Sequence, residues 1–298
     1  MDTLSSFLDF ATSAFWSIER ACARGDLRLM MRVAAREPHS MDRHYKMFVF
    51  RKALVVAVTN DRLDIVQWLC TLYCPWGIAS MGDILWSPRF MDVAAENGHL
   101  HVLQWLSDQP QASGCTEDAI ANAAQNGHFQ VVMWLQEATG LESPTALREA
   151  IRGGHVEIAQ YLVENGYQLD VPNGLDEAAA SGSIEMIEWL FRLNITTSSS
   201  DAMNTPARKG DLAMIHWLHD HCATCASVET IEWAAGSGHL EVVQWLHVNR
   251  SEGCTAGAMD AAVSGGHMHV VQWLHENRSE GCTSNAIDNA TKHLKIIQ

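Results

Sequence analysis

The chain has 298 residues, of which 47% are apolar and 18% charged, and its 35 acidic side chains outnumber its 20 lysines and arginines. The resulting net charge of −15 argues against general binding to nucleic acid or to anionic membranes, because both need clustered lysine and arginine. The N-terminal sequence shows no basic segment of a secretory signal, and no run reaches the roughly 18 apolar residues of a membrane helix. We therefore expect a soluble cytoplasmic protein, with the nucleus as the alternative.

Two degenerate repeat units are predicted first, with reference positions at Gly25 and Asp61. Long connectors follow both units, and they contain basic and aromatic residues at positions 37–52 and 71–89. Two interpretations stay open: these connectors cover the end of a repeat array, or they bind a partner. Residues 1–60 carry a net charge of +3, which leaves −18 on the rest of the chain. The arginines that recur every four residues from Arg20 to Arg36 are interpreted as a solvated face.

Seven regular units follow, each marked by an anchor glycine, and the anchors are 27 to 29 residues apart. The seventh residue after each anchor is Trp or Tyr, and the eighth is always Leu, which only an internal repeat explains. The anchors are Gly98, Gly127, Gly154, Gly182, Gly210, Gly238 and Gly266. A further unit starts at residue 286 and stops at residue 298. We therefore divide the chain into capping repeats at 1–90, regular repeats at 91–277 and a truncated repeat at 278–298.

Each regular unit is predicted to form two helices. Apolar or small residues lie eight, seven and four residues before the anchor, as one face of a helix requires. The anchor glycine suits a left-handed backbone just after that helix. A second apolar helix follows and contains the aromatic residue and the leucine that lie seven and eight residues after the anchor. We expect both side chains to be part of the core. Because one unit cannot bury its own apolar face, neighbouring units must stack into one continuous core.

Residues 94–100, Ala-Ala-Glu-Asn-Gly-His-Leu, and residues 234–243 resemble the central block of the ankyrin repeat. The resemblance spans the whole chain and implies an all-α solenoid of stacked helix-turn-helix units that binds proteins. The period of about 28 residues is shorter than the usual 33, so we expect little or no β-hairpin between units. The wording of residues 273–283 is similar to short, Trp-rich ankyrin arrays of oomycete type.

An ankyrin-like stack exposes one stripe of its first helices on a concave face, and the residues on this stripe vary from unit to unit. We predict a non-enzymatic scaffold that binds a protein through this stripe, with a basic segment as the favoured partner and a monomeric state. Trp233 has two open interpretations, an interface anchor or a residue packed on the next unit. The predicted partner-binding residues are Arg148, Glu149, Arg152, Asp176, Glu177, Asn204, Arg208, Glu232, Trp233 and Asp260.

Catalytic motifs are missing from the sequence, so we expect no enzyme and no cofactor. One constellation resembles a metal site: His219, Cys222 and Cys225 could supply zinc ligands. We favour thiols that pack in a connector, because His219 also occupies a regular repeat position. Zinc binding through these three residues is therefore one alternative function. The other is an adaptor that the N-terminal region recruits to an anionic surface.

Overall fold

The protein is all-helical in the computed structural model, with no strand in any range that the structure describes. This confirms the predicted fold class. The chain divides into two compact units, Met1–Glu149 and Ala150–Gln298, which are described separately below. The described residues are 17–38, 42–73, 87–109, 112, 114–169, 171–195, 198–199, 201–222, 225–251 and 253–284.

In its described residues, the first unit contains four helix pairs and the start of a fifth. Its first helices, α1, α3, α5 and α7, pack on one another in chain order, and each is followed by a second helix. The helices are α1 (Ile18–Ala23), α2 (Leu27–Ala34), α3 (Arg43–Thr59), α4 (Leu63–Trp68) with a π-helical turn (Leu69–Tyr73), α5 (Arg89–Glu96), α6 (Leu100–Ser107), α7 (Glu117–Gln125), α8 (Phe129–Thr139) and α9 (Ala146–Gly153), which ends beyond the unit boundary.

The second unit repeats the arrangement. The first helices α11, α13, α15 and α17 again pack on one another in order, and the connections between pairs contain no strand in their described residues. The helices are α10 (Val156–Glu164), α11 (Gly174–Ser181), α12 (Ile184–Arg192), α13 (Asn204–Lys209), α14 (Leu212–His221), α15 (Val228–Gly236), α16 (Leu240–Asn249), α17 (Ala256–Gly265) and α18 (Met268–Asn277).

The anchor position makes the reversal between the two helices of each pair. All seven regular anchors have positive φ, from 75° to 86°, as the sequence predicted. Asp61 occupies the same position in an early unit and also has positive φ, at 54°. Only glycine adopts this conformation without strain, although aspartate tolerates it better than most residues. A backbone requirement therefore explains why glycine recurs at the anchor position.

The core of both units is built from small residues of the first helices and branched residues of the second. Ala258 and Ala262 of α17 have no exposed surface, and Val243 of α16 has none either. The leucine eight residues after each anchor is at most 4% exposed in all seven regular units. Alanine on one helix lets the next helix approach closely, so these rows determine how tightly the units stack.

The tryptophan row is less buried than the sequence predicted. Trp189 is 8% exposed, but the other regular units have an aromatic ring that is only half-buried at this position. The rings lie against the preceding unit instead: Trp245 has its ring centroid 4.9 Å from that of His216, and Trp273 has its centroid 5.3 Å from that of His247. The leucine row forms the core, and the tryptophan row packs between neighbouring repeats.

The first insert, residues 37–52, does not form only a loop. Most of it extends a first helix, because α3 runs for 17 residues from Arg43 to Thr59. Asp42 begins this helix, and its Oδ1 accepts hydrogen bonds from the backbone N–H groups of His44 at 2.6 Å and Tyr45 at 3.2 Å. Residues 74–86 of the second insert and the truncated repeat from residue 286 lie outside the described residues, and the proposed domain boundaries remain predictions.

Candidate protein-binding surface

The predicted binding residues all lie on first helices. Arg148 and Glu149 belong to the part of α9 that closes the first unit. The other eight lie in the second unit, on α9, α11, α13, α15 and α17. Four of the ten side chains are exposed and six are half-buried, and the exposed four are Arg148, Arg152, Arg208 and Trp233.

The acidic residue six positions before the anchor has a structural role that the sequence did not reveal. The two carboxylate oxygens of Asp176 accept hydrogen bonds from the backbone N–H of Ser199 at 3.0 and 3.1 Å. Asp260 Oδ1 accepts one from the backbone N–H of Thr283 at 2.9 Å, and the hydroxyl of that threonine donates to the other oxygen. Each of these carboxylates therefore binds the segment that starts the following unit.

The same position is used in further units with small variations. The hydroxyl of Thr255 donates a hydrogen bond to Glu232, and Thr230 Oγ1 donates one to Asn204 Oδ1 at 2.7 Å. The partners in these contacts are neutral hydroxyl and N–H groups, so none of these hydrogen bonds brings a compensating positive charge to the carboxylates. Asp176, Asn204, Glu232 and Asp260 thus link units and line the predicted surface together.

Trp233 is the large aromatic side chain on this surface. It is 46% exposed, and the guanidinium carbon of Arg208 from the preceding first helix lies 5.9 Å from its ring centroid. This distance is within the range of a cation–π interaction, which holds the ring in place without burying it. The exposure favours the interface interpretation over packing on the next unit. Aromatic rings and arginine are also the residues that most often dominate binding energy at protein interfaces.

A salt bridge lies near the start of the second unit. Arg152 Nε is 3.5 Å from Glu177 Oε2, and the arginine side chain is 52% exposed while that of the glutamate is 16% exposed. Such a partly exposed pair contributes little to stability. Arg152 and Arg208 are thus two exposed positive groups beside the acidic residues of this surface in the second unit.

The histidine that follows most anchors bonds to the preceding unit. Within the first unit, His128 Nε2 lies 3.0 Å from the carbonyl oxygen of Glu96. Within the second unit, His239 Nε2 lies 3.0 Å from the carbonyl oxygen of Arg208. These rings lie where a Cβ on the preceding anchor, Gly98 or Gly210, would project. The sequence predicted turn residues here, and the structure adds a hydrogen bond between neighbouring repeats of the same unit.

His219, Cys222 and Cys225 do not converge on a common point as the ligands of one zinc ion would. A disulfide joins the two cysteines. The ring of His219 packs edge-on against Trp245 at 5.1 Å, and its Nδ1 lies 3.3 Å from Arg250 Nη1. Among the described residues, no group of three His, Cys, Asp or Glu side chains is placed to hold a metal ion. The sequence predicted packing thiols in this connector, whereas the two sulfurs are bonded to each other.

Two thiols of the first unit, Cys22 and Cys115, do not have the properties of nucleophiles. Burial raises the pKa of Cys22 to about 11 and that of Cys115 to about 12. A thiol is reactive as its thiolate, and both groups are protonated at neutral pH.

No helix within the described part of the chain has both the length and the apolar character to cross a membrane.

Comparisons with known proteins agree with the repeat architecture. Family models described as ankyrin repeats in three copies and in many copies match residues 91–173 and 231–275. Residues 91–173 and 231–275 therefore match ankyrin repeats. No curated protein matches it. The crystal structure of the human ASB11 ankyrin repeat domain is similar at 20% identity and a TM-score of 0.43, covering 66% of this chain and 97% of that domain.

Proposed function

We propose that this protein is a non-enzymatic scaffold that binds a protein partner through the first-helix face of its second unit. Ankyrin repeats are generally protein-binding modules and typically not enzymes, which supports the class of function. The observation that carries the specific surface is the exposed Trp233 with Arg208 over its ring. An exposed aromatic side chain held in one orientation loses little conformational freedom on binding.

The favoured partner is a basic segment of another protein. Glu229 lies one turn before Trp233 on α15 and is exposed, and the carboxylates of Glu232 and Asp260 lie on the same helical face. A lysine- or arginine-containing segment would pair with these acids while an apolar side chain packs on the tryptophan. Association should then be faster at low salt than at high salt, because exposed charges steer the encounter.

The test must avoid the residues that hold the units together. Substituting Glu232 or Asp260 would remove a hydrogen bond to the next unit, so loss of binding could report loss of structure. A variant with Trp233→Ala and Glu229→Lys changes two exposed positions instead. Its matched control carries Val248→Ala and Glu241→Lys, two exposed positions on the second helix of the same pair.

Proteins captured from source-cell extract by the wild type, the variant and the control would be compared, after equal thermal midpoints have been verified. We expect partners that are lost with the variant, retained by the control and released by salt. Identical sets of captured proteins for all three chains would place the interface elsewhere and refute the proposed surface.

A further inference from the structure

The first unit contains a groove that the predicted binding stripe does not include. It lies between the first helices α1, α3 and α5 and encloses a volume of about 880 Å³. This volume is within the roughly 300 to 1,000 Å³ of small ligand sites, so the groove can accept several side chains but no folded domain. Its described lining consists of Glu19, His44, Met47, Phe48, Arg51, Lys52, Val55, Val56, Ser87, Arg89 and Phe90.

The floor of the groove is apolar. Met47 and Phe90 are 9% and 3% exposed, and Val55 and Val56 are half-buried beside them. Phe48 is 54% exposed, although it belongs to the same helix as the buried Met47. An exposed phenylalanine next to apolar residues is a place where a ligand gains affinity by removing surface from water.

The rim of the groove is basic. Arg51, Lys52 and Arg89 line it, and Glu19 is the one carboxylate among its described lining residues. Lys52 Nζ lies 3.6 Å from Glu19 Oε1 and 4.5 Å from the ring centroid of Phe48, so part of its charge is already compensated. The guanidinium groups of Arg51 and Arg89 are on exposed side chains at the same groove. A positive rim around an apolar floor has formed in a chain whose net charge is −15.

We propose that this groove binds an acidic peptide segment of a protein partner, with one or two aliphatic or aromatic side chains of the segment on the floor. Carboxylates that flank those side chains would pair with Arg51 and Arg89. The planar guanidinium group suits this pairing because it can donate two parallel hydrogen bonds to one carboxylate. The site is separate from the surface of the second unit and has the opposite charge. A recessed floor fits a side chain that projects from a narrow peptide, whereas a flat membrane surface reaches only the rim.

The experiment uses the full chain and three fluorescein-labelled peptides. The first alternates pairs of glutamates with leucine or phenylalanine, the second replaces its apolar residues by alanine, and the third replaces its glutamates by lysine. Fluorescence anisotropy at low and moderate salt gives each Kd. Vesicles of phosphatidylcholine with and without phosphatidylserine are tested in parallel by flotation.

Two pairs of variants locate the site. Arg51→Glu with Arg89→Glu reverses the rim, and its control, Arg28→Glu with Arg36→Glu, makes the same charge change at exposed positions outside the groove. Phe48→Ala removes the exposed ring, and Tyr45→Ala is its control on the same helix, where Tyr45 is 57% exposed and does not line the groove. Circular dichroism verifies that each variant is folded.

We expect the wild type to bind the first peptide. The rim variant should raise the Kd for this peptide at least about tenfold, and Phe48→Ala should raise it by about three- to tenfold. Both controls should bind the peptide with a Kd near that of the wild type. Equal binding of the alanine peptide would overturn the role of the floor. Binding to phosphatidylserine vesicles without peptide binding would overturn the peptide in favour of an anionic surface. Failure of all probes to bind would overturn the proposal entirely.

Discussion

The two units carry contrasting surfaces on the same helical framework. In the first unit, α1, α3 and α5 enclose a groove with a basic rim and an apolar floor. In the second unit, the first helices present more acidic than basic residues, and Trp233 is exposed beside Arg208. The long α3 makes part of this difference, because its extra turns before residue 53 supply Met47, Phe48, Arg51 and Lys52 to the groove.

This contrast shows which repeat positions are free to change. The anchor glycine and the core leucine are the same in the regular units of both halves, since the turn and the stacking depend on them. The position six residues before the anchor varies in the sequence, yet Asp92, Asp176 and Asp260 all bond to the following unit there. Variation along a helical face is therefore not sufficient evidence that a residue is available to a partner.

Loss of a core leucine should have the largest effect, and it should be equal in the two units. Leu106→Ala in the first unit and Leu218→Ala in the second each remove a side chain that has no exposed surface. We expect a loss of about 2 to 5 kcal/mol in the free energy of unfolding for each, from transfer and cavity terms. Urea denaturation measures both. A cost below about 1 kcal/mol in one unit alone would break the idea of a shared framework.

Alanine at an anchor glycine should have an intermediate effect that depends on the neighbouring histidine. Gly98 has a φ of 77°, and a Cβ there would overlap the ring of His128. Gly140, which follows the second helix α8 and is not an anchor, has a φ of 62°, and a Cβ there would meet no atom within 4 Å. We expect Gly140→Ala to cost about 1 to 2 kcal/mol from backbone strain alone, and Gly98→Ala to cost about 1 kcal/mol more from the overlap.

Thermal and urea unfolding of both glycine variants would measure this difference. Equal losses would mean that the backbone conformation explains the anchor and that the histidine ring moves away without cost. A double variant with Gly98→Ala and His128→Ala should recover part of the loss, since it removes the overlapping ring.

Removal of a carboxylate that links two neighbouring repeats should have the smallest effect. Asp92 accepts hydrogen bonds from the backbone N–H of Thr116 at 2.9 Å and from its hydroxyl at 3.1 Å. Burial raises the pKa of Asp92, and the two bonds from Thr116 oppose that rise. Because the desolvation of the charge offsets part of the benefit, we expect Asp92→Ala to cost only about 1 kcal/mol, and Asp260→Ala a similar amount in the second unit.

The control for this prediction is Glu229→Ala, an exposed acidic position on the same type of helix. We expect it to change the free energy of unfolding by less than about 0.5 kcal/mol. If Glu229→Ala destabilises the protein as much as Asp260→Ala does, the bonds to Thr283 contribute nothing specific to stability.

Much of the fold could be predicted from the sequence because repetition multiplies each weak signal. A single glycine before a polar residue indicates little, but seven anchors in phase predicted the helix pairs, the positive φ and the buried leucine row. The resemblance of residues 94–100 and 234–243 to the ankyrin repeat implied a protein-binding function. The two N-terminal units were predicted with Asp61 in the anchor position, and its positive φ agrees.

The binding residues could be predicted only as a helical face. Sequence periodicity places Glu229, Glu232 and Trp233 on one side of α15, but it does not show that Thr255 donates to Glu232 while Trp233 stays exposed beneath Arg208. Those facts depend on the neighbouring unit. The groove of the first unit was missed for the same reason, because its lining comes from three helices that are far apart in the chain.

By itself, the sequence determined the repeat, the helix pairs and the core leucines, because these depend on the spacing of residues along one chain, and its resemblance to ankyrin repeats indicated the class of function. Only the tertiary structure decided which acids bond to the next unit, which tryptophans are half-exposed, and where a basic rim encloses an apolar floor. These properties depend on contacts between residues about 23 or more positions apart, such as Asp260 with Thr283, and helical periodicity within a single unit contains no information about them.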